Sequence, residues 1–145
     1  MKVKKVKFKE RVFAKLFEIS KYVRELEEIL PSEDEYIHNL TIRRACEKTI
    51  ELAIETVIDI ISMVVREEKY DFPDDEENLI TIVTEKKVIS PKLSLKLKEM
   101  KRFRNILIHK YGNIDNEQAY EFMENETKDF LEFEKEIKKY LQKKK

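Results

Sequence analysis

Arg104, Asn105, His109 and Tyr111 stand close together in the stretch KRFRNILIHKYG, Lys101 to Gly112. It holds one of the chain's two histidines and ends at its single glycine. A histidine titrates near neutral pH and can move protons as general base or acid. An arginine fork grips a phosphate and stabilises the charge that develops on it. Together they are a sufficient minimal set for cleaving an RNA phosphodiester without a metal, because the RNA's own 2′-hydroxyl serves as nucleophile. The sequence offers no rival chemistry. It has no Gly-rich phosphate loop, no Ser/His/Asp arrangement, and no Cys/His cluster of metal-ligand spacing, so neither a metal nor a cofactor is expected.

On a helical wheel Arg104 falls inside an apolar stripe, with Leu97 and Tyr111 about 20° to either side and Ile108 and Met100 about 40°. An unpaired guanidinium there would cost several kcal/mol, so it needs a buried partner or an interface. His109 lies about 140° away, on a neighbouring face with Asn105, Lys101 and Arg102, so the pair does not simply stack. The two could still converge on one ligand at a cleft or a symmetric interface. The plainer alternative is structural: Arg104 pairs with a core glutamate, and His109 favours the helix macrodipole. Glu47, Glu51, Glu55 and Asp59 recur every fourth residue and supply candidate partners, or else a solvated stripe. Lys98, Lys101, Arg102 and Lys110 form a candidate RNA-binding patch, or a solvated face. His38 reads as a surface or capping residue, and Cys46 as a small core residue.

The elements that must position these residues are helices. Lys, Glu, Leu and Ile dominate a chain of 145 residues with one glycine and three prolines. That length makes one domain over 1–145, with an ordered core over 8–141 and basic, frayed ends including the QKKK tail. A first helix is expected over about Phe8 to Leu30, with the stripe Val12, Leu16, Ile19, Val23, Leu26 and Leu30 widened by Phe13 and Phe17. A second, central helix runs from about Asp34 to Glu68, with Ser32 as N-cap before it. NLITIVTEKKVI makes a short third helix. Ser90 caps a fourth, with Pro91 at its first position, that ends at Gly112. Asp115 or Asn116 caps a fifth, over about Glu117 to Leu141. An antiparallel up-and-down all-α bundle of about five helices follows. Lys and Arg balance Asp and Glu at 30 each, so no global field draws the chain to polyanions. No run is long and apolar enough for a membrane span, and no signal-peptide core is present, so a cytoplasmic location is expected.

RNILIHKY resembles the signature of the HEPN superfamily, and its form, Arg104, four residues, His109, one residue, Tyr111, resembles the HepT branch. RRACEKTIELAIETVIDIISMVV, Arg43 to Val65, is similar to that family's long second helix, and FRNILIHKYGNID, Phe103 to Asp115, to its motif segment. The resemblance implies an all-α homodimer whose motif helices face each other across a cleft. It implies a metal-independent endoribonuclease toxin of a type VII toxin–antitoxin system, with Arg104 and His109 catalytic and Asn105 orienting them. The implied partner is an MntA-type minimal nucleotidyltransferase antitoxin that neutralises the toxin by AMPylating Tyr111. Arg102 departs from the small residue usual before Phe103. A non-catalytic helical module that presents substrate or nucleotide to that partner is the alternative, and a free-standing structural bundle a third.

Overall fold

The computed structural model describes residues 2–109 and 114–144, with side chains from residue 7 onward. Seven helices occupy these residues, and no strand is present among them: α1 (Lys2–Ile29), α2 (Glu33–His38), α3 (Leu40–Glu67), α4 (Glu76–Glu85), α5 (Pro91–His109), α6 (Asn116–Asn125) and α7 (Lys128–Lys143).

The two additional helices arise where expected long helices break. Asn39 closes α2 and caps α3, its side-chain oxygen accepting from the Ile42 amide at 3.1 Å. Arg43 Nη1 donates back to the carbonyls of Tyr36 and Ile37, at 3.3 and 2.6 Å, satisfying oxygens the break would orphan. The second break lies at Glu126 and Thr127, where Asp129 and Phe130 amides bond three residues back. It lets α6 pack on α2 while α7 packs on α1 and α5.

α3 is the centre. It buries more side chains than any other helix, including Ile50, Ile54, Val57, Ile61 and Val64, and lies along most of α1. Burying one such side chain contributes about 1.5–3 kcal/mol. α1 inserts Phe8, Val12, Leu16, Ile19 and Leu26 into that core, with Val23 and Leu30 half-buried. Phe13 and Phe17 do not widen the stripe; they stand off it, 47% and 68% exposed.

Capping follows the sequence closely. Ser32 accepts from the Glu35 amide at 3.2 Å, Asp75 from Asn78 at 2.8 Å, and Asp115 from Glu117 and Gln118. At the start of α5, Ser90 Oγ accepts from the Leu93 amide while the Ser90 amide and hydroxyl both donate to Glu136 of α7, at 2.7 and 2.9 Å. α3 and α4 end on lysines in the left-handed region, Lys69 at φ 59° and Lys87 at φ 63°. The expected stop at Gly112 lies outside the described residues.

The tail expected to fray is held as far as Lys144. Tyr140 donates to Glu68, Lys144 Nζ lies 2.9 Å from the same carboxylate, and Lys9 Nζ donates to the Lys144 carbonyl at 2.8 Å. α1, α3 and α7 are thus tied at one end of the bundle.

Candidate functional site

Arg104 lies where the wheel puts it, 8% exposed on the core side of α5 between buried Leu97, Met100 and Leu107. Its charge is compensated by oxygens on one side of the guanidinium. Nε and Nη2 donate to Asn105 Oδ1 at 3.2 and 2.8 Å, and Nη2 also donates to Glu76 Oε1 in a short contact. Glu76 opens α4, and a negative side chain at that helix end meets the positive pole of the helix dipole. Next to it, Glu77 lies 3.8 Å from Arg102, a more exposed pair of small energetic weight.

The partner of Arg104 is therefore not in the α3 acidic stripe. Glu47 is buried against Arg44 at 3.2 Å, Glu51 pairs with Lys48 at 3.3 Å, and Asp59 with Lys15 at 3.6 Å. Glu55 feels the Arg104 charge. Burial and the adjacent Glu51 raise its pKa above the ordinary carboxylate range, while Arg104 pulls the other way. Glu76 was missed because it stands 28 positions from Arg104, on another helix. The only signal in the sequence was an acidic first turn behind a capping aspartate.

His109 closes α5 on the solvent side, exposed, while Arg104 faces the core; one chain does not bring the pair onto one face. Asn105, half-buried, lies between the two directions. Lys98 and Lys101 are half-buried on the same flank and Arg102 is exposed. Lys110 and Tyr111 lie outside the described residues. Ile106 and Ile108, on opposite sides of α5, are 55% and 44% exposed in the single chain, and Leu95, three turns before Ile106 on the same face, is 66% exposed. Phe103 on the other flank stacks on Phe122 with ring centroids 4.2 Å apart, tying α5 to α6.

The remaining candidates are inert. His38 Nδ1 sits 2.9 Å from the Asp34 carbonyl at the exposed end of α2. Cys46 is fully buried, and burial with nearby Glu47 pushes its thiol pKa up to about 11, away from thiolate chemistry. Among the described residues no group of three or more His, Cys, Asp or Glu could hold a metal ion. Nor is any helix among them long and apolar enough to cross a membrane. Clefts of about 650, 600 and 430 Å³ lie along α7, and Arg104, Asn105 and His109 line none of them.

A family model described as Ribonuclease HepT-like matches residues 19–137, which span both the long α3 and the α5 motif. The chain belongs to the HepT-like family. This HepT-like chain is similar to a curated relative, the mRNA nuclease HepT of Shewanella oneidensis, with 20% identity over 122 residues, 84% of this chain and 92% of the relative. Its fold is similar to that of the tri-AMPylated Shewanella oneidensis HEPN toxin solved in complex with MNT antitoxin, with a TM-score of 0.83, 20% identity, and coverage of 88% of this chain and 96% of that one. A Bacillus subtilis cytosolic protein of unknown function also shares it, with a TM-score of 0.67, 21% identity, and coverage of 86% and 89%. The HepT-like chain thus shares the all-α fold of that HEPN toxin, and its family is described as ribonuclease-like.

Proposed function

We propose that this protein is a metal-independent endoribonuclease toxin that works as a homodimer, with Arg104 and His109 of the two copies meeting in a cleft between paired α5 helices. The observation that carries the reading is the split of the motif across one helix. Arg104 is buried and held, and His109 is exposed on a face that also carries uncovered Leu95 and Ile106. A second copy seated along α5, covering exposed Ile108 nearer Arg104 as well as Leu95 and Ile106, would add a second motif beside the first.

In such a cleft His109 takes the proton from the 2′-hydroxyl or returns one to the leaving 5′-oxygen. Arg104 holds the phosphate and stabilises the negative charge of the transition state. Asn105 orients the arginine through its amide oxygen, and Lys98, Lys101, Arg102 and Lys110 contribute backbone contacts. The partner is a minimal nucleotidyltransferase antitoxin of the MntA type, which transfers AMP to Tyr111. An added phosphate there would repel the RNA backbone and block its entry.

The test is cleavage of RNA by purified protein in EDTA. Arg104→Ala and His109→Ala should each lower the rate by at least about a hundredfold with the helical signal retained. Cyclic-phosphate ends identify the 2′-hydroxyl route. Full activity of both variants defeats the assignment, and absence of cleavage by the wild type favours the non-catalytic module. Mass spectrometry after co-expression with the antitoxin reads the modification of Tyr111.

A further inference from the structure

A guanidinium carries five N–H donors. In Arg104, Asn105 Oδ1 takes one from Nε and one from Nη2, and Glu76 Oε1 takes one from Nη2. The two donors of Nη1 have no partner among the described residues. Two oxygens on different helices thus fix the group's rotation, one on its Nε–Nη2 edge and one on the remaining Nη2 donor, and leave the two donors of Nη1.

From this we infer that Glu76 is a positioning residue for Arg104: Asn105 takes the Nε–Nη2 edge and Glu76 the remaining Nη2 donor, so that Nη1 is the nitrogen left for an RNA phosphate. The inference rests on the ribonuclease reading for its substrate and on the three contacts for its geometry. Glu76 uses one oxygen on Nη2, and it is itself set at the first position of α4, where Asp75 caps the helix. α4 in turn packs on both α3 and α5, so the clamp is attached to the core. Orientation of this kind acts on the chemical step, because a phosphate held slightly out of line reacts slowly although it still binds.

The experiment is steady-state cleavage of a fluorescent single-stranded RNA by wild type, Glu76→Gln and Glu76→Ala, with thermal melts to establish folding. Glu76→Gln keeps an oxygen acceptor and should lower kcat about tenfold with KM within about twofold, and Glu76→Ala should fall further. Unchanged kcat, or a fall in KM with faster cleavage, overturns the positioning role. A second readout needs no activity: the ¹⁵Nε–¹H resonance of Arg104, assigned by its loss in Arg104→Lys. Its hydrogen exchange should accelerate about tenfold or more in Glu76→Ala, since loss of the Nη2 contact frees the guanidinium to leave Asn105 as well. Unchanged exchange overturns the inference even if the wild type proves not to cleave RNA, an outcome that would sink the ribonuclease reading alone.

Discussion

Glu55 carries a charge that the fold resists. Its half-buried place on α3 and the neighbouring Glu51 both disfavour ionisation, and Arg104 offsets them only in part. At acid pH, below the ordinary glutamate range, the group is protonated in the folded and unfolded chain alike and the fold keeps its full stability. As pH rises towards the raised folded-state value, the unfolded chain ionises more readily and stability is lost. Glu55→Gln should therefore melt higher than wild type at about pH 8 and match it at about pH 4. Equal melting temperatures at the higher pH would show that the charge is not disfavoured. The same region marks how far single residues could be read from the sequence. The wheel placed Arg104 in the stripe correctly, because the helical period alone decides that. It could not find Glu76, because a contact between two helices depends on how they pack, and nothing local encodes the meeting. The stripe of Glu47, Glu51, Glu55 and Asp59 looked a better source precisely because its spacing is regular, yet three of its members pair with lysine or arginine close by.

Among the elements, the terminations of α3 and α4 are unusual for having lysine at a left-handed position that glycine normally fills. After Lys69 the Tyr70 amide bonds to the Val65 carbonyl, and after Lys87 the Val88 amide bonds to that of Val83. A residue with a Cβ pays roughly 1–2 kcal/mol for that conformation, offset in part because glycine loses more freedom on folding. Lys69→Gly and Lys87→Gly should each raise stability by up to about 1 kcal/mol in denaturant titration, and the double variant by about the sum. A loss from either change would mean that the lysine makes compensating contacts. Helix positions were legible where caps announce them: Ser32, Ser90 with Pro91, and Asp115 all act as expected. The breaks at Asn39 and at Glu126–Thr127 were not, since neither carries a proline or glycine to mark it. What decides them is the packing of α2 against α6 and the redirection of α7 onto α1 and α5.

For the whole molecule, the proposed dimer needs an exposed apolar surface for a second copy to cover. α5 offers Leu95, Ile106 and Ile108, and α1 offers Phe13 and Phe17. Only the α5 surface adjoins His109, so the proposed composite site requires that one. Ile106→Asp should convert the dimer to a monomer by light scattering and abolish RNA cleavage together with it, whereas Phe17→Glu should leave the mass unchanged. A dimer that survives Ile106→Asp would move the interface elsewhere and separate the two motifs.

Two of the contacts that fix α5 are Ser90 on Glu136 of α7 and Arg104 on Glu76 of α4. The helix between them is in effect a ruler. One inserted residue would advance the motif by about 1.5 Å and turn it by about 100°, so that both fixings could not be kept at once. Length can vary more readily in the connection between α3 and α4, residues 68–75, which carries none of these phase relations. The motif is thereby indexed to the start of its own helix as well as to the acid it meets, and both the distance and the angle at which Arg104 arrives are properties of a count of residues.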